Sequence, residues 1–82
     1  MSGAAHRGMA LQDAALELNE AIRRFDPFNS PHEGWAVIRE ELDELWDHVK
    51  ANTGTGDEAY VEAIQIAAMA LRYAVDCCGV PV

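Results

Sequence analysis

Residues 58–76 read EAYVEAIQIAAMALRYAVD, and this stretch decides the fold. At about 100° of rotation per residue, Ala59, Ala63, Ile64, Ile66, Ala67, Ala68, Ala70, Leu71, Ala74 and Val75 spread over most of a helical circumference. A narrow polar strip, Glu58, Glu62, Gln65, Arg72 and Asp76, interrupts them. A helix apolar nearly all round has to be enclosed, and its alanines permit close approach by other helices. Before it, Thr53–Asp57 (TGTGD) holds two glycines and no apolar residue, a turn between helices. Thr55 and Glu58 have the spacing of a capping box, and Gly79 with Pro81 ends the helix.

Upstream of that turn, Ser30-Pro31 followed by Glu33 predicts a helix start. Ser30 caps the free amides, Pro31 lacks the amide that would go unpaired, and Glu33 completes the box. The helix is expected from Pro31 to about Asn52, with Trp35, Ile38, Leu42, Leu45, Trp46 and Val49 as its core stripe. An earlier amphipathic helix, from near Met9 to Arg24, places Leu11, Ala15, Leu18 and Ile22 on one face and ends in Arg23 and Arg24, cations suited to the negative pole of the helix dipole. Met1–Gly8 reads as a flexible N-terminal tail, and residues 9–82 as one helical domain.

The chain has 82 residues, half of them hydrophobic. So short a chain buries only about 60–65% of the surface it exposes when unfolded. Two partner helices are too few to enclose the last one, so the expected architecture is all-α: three helices, the second and third an antiparallel hairpin, completing a bundle by homo-oligomerisation as a dimer or tetramer. A monomeric three-helix bundle with water-exposed alanines is the alternative.

Six Lys plus Arg against fourteen Asp plus Glu give a net charge of −8, which repels phosphate backbones and anionic lipid. Neither nucleic acid nor membrane is an expected partner. No segment has the ~20 apolar residues of a bilayer span, the first residues lack the hydrophobic centre of a secretory signal, and Cys77 and Cys78 are adjacent and expected reduced; a cytoplasmic location follows as the expectation.

Glu40, Glu41, Asp43, Glu44 and Asp47 crowd the second helix. Glu41 and Glu44 share a face, and antiparallel packing would bring Glu62 of the third helix opposite them. Converging carboxylates suit magnesium, which takes oxygen ligands and keeps waters to share with a phosphate. A solvated acidic face is the other reading of the same residues.

The pattern Glu40-Glu41-Leu42-Asp43-Glu44, within HEGWAVIREELDELWDHVK and followed by EAIQIAAMALRYAVD, resembles the MazG-like all-α nucleoside triphosphate pyrophosphohydrolases, specifically the short phage and bacterial type. The resemblance covers roughly residues 30–76. It implies hydrolysis of an NTP or dNTP to the monophosphate and pyrophosphate, with Mg2+, or Mn2+ in its place, held by Glu41, Glu44 and Glu62, and with Glu40 and Glu41 as the catalytic carboxylates. Gln65, His48 and Arg72 are candidate substrate contacts. For Arg72 the competing reading is an ion pair with Asp76, and for His48 simple exposure; Trp35 and Trp46 read as packing residues. One departure stands out: the family pattern puts aspartate three residues after the second-helix glutamate, where this chain has Gln65. A glutamine oxygen can ligate magnesium without supplying charge, so a non-catalytic helical oligomerisation module with a degraded metal site is the rival expectation.

Overall fold

The computed structural model describes residues 3–79, and Pro81, read above as part of the terminator, lies outside them. Three helices follow one another: α1 (Gly3–Arg24), α2 (Pro31–Lys50) and α3 (Asp57–Cys78). The all-α expectation holds. α1 begins at Gly3 rather than near Met9, so the residues from Gly3 to Gly8 belong to the helix. The two alanines there favour helix, and Gly8, with open space about it, costs the helix only ~1 kcal/mol.

The start of α2 is built as its sequence predicts. Ser30 is the N-cap and its hydroxyl accepts from the Glu33 amide at 3.1 Å, with Pro31 in the first turn. The Glu33 carboxylate reaches one residue further back than a standard box, accepting from the amide and the side chain of Asn29. α2 ends at Lys50, two residues before the expected Asn52, because Asn52 takes the left-handed conformation (φ 61°) that asparagine tolerates. At α3 the Thr55–Glu58 box does not form: Gly56 is the N-cap, without a side-chain hydrogen bond. Asp57 and Glu58 in the first turn supply the favourable dipole interaction instead. Gly79 closes α3 in the left-handed conformation (φ 70°), as its position predicts.

α3 is the centre. It packs against α2 on one side and α1 on the other, while among the described residues α1 and α2 do not pack on each other. The result is a slab of three helices with overall extents of 36 × 28 × 20 Å. Along the α2–α3 contact, Gly34 lies under the Tyr73 ring, Glu41 and Glu44 lie by Glu62, and His48 lies by Glu58. Gly34 is required: a Cβ there would sit 2.7 Å from Tyr73 Cδ2 and 3.0 Å from Phe28 Cδ2.

The core of a single chain is small. Its buried apolar residues are Ala14, Ala21, Ala59 and Ala68, and no large side chain among the described residues is fully buried. The expected core stripe of α2 splits: Ile38 and Leu45 are half-buried, whereas Trp35 (58%), Leu42 (47%), Trp46 (55%) and Val49 (47%) remain exposed. The reason is rotational, since α2 turns Gly34, Val37, Glu41 and His48 toward α3 and leaves the bulkier stripe about 90° away.

α1 is tied to α3 by one buried cation. Arg72, 3% exposed, donates through Nη1 to the Ala21 carbonyl at 2.6 Å, through Nη2 to the Phe25 carbonyl at 2.8 Å, and through Nε to Asp76 at 2.9 Å. Asp76 in turn accepts from the Phe28 amide at 3.1 Å. These bonds give the Phe25 carbonyl, just past the end of α1, a donor, and the Ala21 carbonyl, already bonded to the Phe25 amide at 3.0 Å, a second one. They also fix the α1–α2 connection against the end of α3.

Candidate functional site

Glu41 and Glu44 stand three residues apart on α2, and Glu62 meets them from the second turn of α3. One carboxylate oxygen of each lies within 4.8 Å of the others. Oxygens bound to one magnesium ion at ~2.1 Å are separated by roughly 2.9 Å when adjacent and 4.2 Å when opposite, so three carboxylates gathered within 4.8 Å need side-chain rotation to draw together around one ion. Glu41 Oε2 and Glu62 Oε2 are buried without a hydrogen-bond donor. A buried carboxylate oxygen lacking a donor is costly, and there are two such oxygens in one cluster.

The electrostatics carry the same strain. Burial pushes the Glu41 carboxyl up from 4.5 to about 7, and contact with the Glu62 carboxyl and the charges of Glu44 and Glu62 add to it. Glu44 is raised as well, chiefly by its contact with Glu62. The cluster can relieve its repulsion in two ways: by holding a proton between carboxyls near neutral pH, or by holding a cation.

Glu41 also forms one wall of a cavity of about 420 Å³ in the open angle between α1 and α2. Its floor is Gln65, Met69 and Arg72 of α3, its apolar sides come from Phe25, Phe28 and Val37, and α1 adds Glu17, Glu20 and Arg24. The volume suits a small organic molecule. The α1 contribution was not foreseen from sequence; Glu17 and Glu20 look like the solvated side of an amphipathic helix, and only the arrangement of α1 against α3 turns them toward Glu41.

The remaining candidates fall in different places. Gln65 stands on the cavity floor in the same space as Glu41. Glu40 is exposed, outside the three-carboxylate cluster, and acts on it only through its charge near Glu44. His48 lies toward the C-terminal end of α2, its Nδ1 3.1 Å from the Thr53 hydroxyl and its Nε2 4.0 Å from Glu58. Arg72 touches the cavity, but the guanidinium is engaged by Asp76 and two carbonyls, which is the ion-pair reading. Trp35 and Trp46 lie away from the cavity, and Lys50 Nζ sits 5.9 Å from the Trp46 ring. Cys77 and Cys78 are free thiols, and burial raises the Cys77 pKa.

No helix of the described residues is long and apolar enough to cross a membrane. Compared with known proteins, the chain matches no family model, no curated protein and no solved structure.

Proposed function

We propose that this chain is a magnesium-dependent pyrophosphohydrolase of the MazG-like type, converting an NTP or dNTP to the monophosphate and pyrophosphate, with α2 and α3 as an antiparallel hairpin inside a homo-oligomer. The observation that carries the metal site is the pair of buried, donorless oxygens, Glu41 Oε2 and Glu62 Oε2, in a cluster completed by Glu44. Oxygen-only ligands of this charge and spacing fit magnesium, and manganese as its substitute. The pairing of Gly34 with Tyr73 and of His48 with Glu58 supports the hairpin, and the alanine-only core supports assembly with further copies.

Magnesium, when bound, would offset the charge of the triphosphate and lower the pKa of an attacking water. The chain's own residues divide the rest of the work. Glu41, Glu44 and Glu62 would hold the ion, and ionisation of Glu41 above about pH 7 would make the cluster competent to do so. Glu40, one residue from the cluster and exposed, would orient water from outside it. Gln65 offers a neutral amide at the cavity floor, and Phe25, Phe28 and Met69 give the cavity apolar walls for the non-phosphate part of a nucleotide.

A second reading has its own observation. With Gln65 where the resemblance expects aspartate, the cluster has one carboxylate fewer, and a proton on Glu41 can neutralise part of it without metal. On that reading the chain is a helical assembly module. Incubating the full chain with Mg2+ and a panel of ribo- and deoxynucleoside triphosphates separates the two. The enzyme releases pyrophosphate, and Glu41→Ala abolishes release while leaving the assembly intact. Silence across the panel, or undiminished turnover by Glu41→Ala, defeats the enzymatic reading.

A further inference from the structure

The slab has two unlike faces. On α2, the cavity residues Glu33, Val37 and Glu41 project roughly 150° away from Trp35, Leu42 and Trp46. On α3, Gln65, Met69 and Arg72 project roughly 160° away from Ala63, Ala67, Ala70 and Ala74, and on α1, Glu17, Glu20 and Arg24 roughly 150° away from Leu11, Leu18 and Ile22. The acidic cavity therefore opens on one face. The opposite face is apolar on all three helices, bulky on α2 and made of alanine on α3.

Three features say what covers that face. The first is area. Trp35, Leu42, Trp46 and Val49, each about half exposed, present on the order of 400 Å² of apolar surface, and Leu11, Ile22 and Leu71 bring this to roughly 650 Å². That exceeds what most monomers expose in one patch and approaches the ~800 Å² per partner of a stable interface. The second is self-complementarity. Large side chains on α2 beside an alanine stripe on α3 match when the same face is turned against itself, the bulky helix of each copy resting on the small-residue helix of the other. The third is that a single layer of helices around four buried alanines has no second layer to close its core. The chain's own copy is the one partner always present when that core has to form.

Charge does not oppose this arrangement. Beside the α2 stripe the cations Arg39 and Lys50 are each paired with an acid of their own helix, Asp43 at 3.1 Å and Asp47 at 3.4 Å. The unpaired carboxylates Glu41, Glu44 and Glu62 lie toward α3 and the cavity side.

We infer that two copies of this chain assemble through the face opposite the acidic cavity, with Trp35, Leu42 and Trp46 of one copy seated on the Ala63–Ala67–Ala70–Ala74 stripe of the other, so that both cavities face outward. This specifies the homo-oligomer of the proposed function and rests on that part of the reading alone, independently of any catalysis.

The test is sedimentation equilibrium of the full chain with Ala70→Leu, Ala63→Leu and Leu42→Glu. Ala63 and Ala70 are exposed in one copy, and leucine is nearly as good a helix former as alanine, so in a monomer either substitution is harmless. Beneath a partner's side chains the added bulk overpacks the contact. The expected result is a wild-type dimer or higher even assembly, a dissociation constant raised at least about tenfold by Ala70→Leu and by Ala63→Leu with the helical signal retained, and loss of assembly in Leu42→Glu. Assembly unchanged in the two leucine variants overturns this interface while leaving the oligomer standing. A folded wild-type monomer at all concentrations overturns the oligomer itself, and pyrophosphate release by that monomer would leave the enzymatic reading intact.

Discussion

Replacing Glu41 with glutamine isolates the cluster's electrostatics, because glutamine keeps the shape and removes the charge. In the folded chain the Glu41 carboxyl holds its proton to about pH 7, against 4.5 for an unperturbed glutamate. Below pH 4.5 it is neutral in both folded and unfolded chains. Between 4.5 and 7 the folded chain keeps a proton that the unfolded chain releases, so the stability present at low pH is lost as pH rises through the folded value. A displacement of this size is worth roughly 3 kcal/mol in full, and partial exposure with coupling to Glu44 reduces it to about 1–2 kcal/mol. For a chain of this length that corresponds to roughly 5–10 °C in Tm. The assay is thermal unfolding at one fixed protein concentration, with chelator present, from pH 4 to pH 8.5. Glu20 and Glu33, whose pKa values are lowered by Arg23 and by Asn29, give the opposite slope at lower pH in both proteins, so the quantity read is the difference between them. Glu41→Gln should match wild type near pH 4.5 and be more stable at pH 8. A difference that does not vary with pH, or a variant less stable at pH 8, refutes the account of the cluster.

Other perturbations follow from the same geometry. Arg72→Met leaves the Phe25 carbonyl without its side-chain donor, the Ala21 carbonyl with only the Phe25 amide and Asp76 with only the Phe28 amide, at a cost of about 3–5 kcal/mol; calorimetry should show Tm falling by more than 15 °C or no cooperative transition, and a fall under ~5 °C would contradict the buried tie. Gly34→Ala gains ~1 kcal/mol of helix propensity but drives a methyl to 2.7 Å from the Tyr73 ring, an overpacking cost of about 1–3 kcal/mol; urea denaturation should show a net loss, and a gain would mean that Tyr73 swings freely away. Added Mg2+ should raise Tm at pH 8 and leave it unchanged at pH 5, where Glu41 keeps its proton; an equal rise at both values would place the ion elsewhere.

The helices themselves were legible because their signals are local. Ser30, Pro31 and Glu33 start α2 within four residues of sequence, and Gly79 stops α3 by its own backbone preference. The Thr55–Glu58 box failed because the same spacing can be outcompeted one residue later, where Gly56 takes the cap position at no steric cost. The meeting of Glu41, Glu44 and Glu62 was legible because Glu41 and Glu44 share a face of α2 and Glu62 lies on the polar strip of the otherwise apolar α3. The rotation of α2 was not. Glu41 and Leu42 are adjacent, and hydrophobicity alone gives the inward side to Leu42, whereas α2 turns Glu41 toward α3 and leaves Leu42 exposed. An exposed apolar face reads as a core stripe in sequence, since both are apolar at helical spacing. The role of α1 was hidden for a related reason: Glu17 and Glu20 acquire meaning only from α1 lying beside α3, which Arg72 fixes through carbonyls that carry no sequence signature.

The claim on which the functional account turns is that Glu41, Glu44 and Glu62 form a divalent-cation site. Electron paramagnetic resonance of Mn2+ titrated into the full chain at pH 8 reads it directly, as the loss of the free-ion signal. The account predicts saturable binding displaced by Mg2+, weakened at least tenfold by Glu62→Gln and by Glu41→Gln but not by Asp47→Asn on the exposed side of α2. Binding that is absent, or equal in all four proteins, contradicts it.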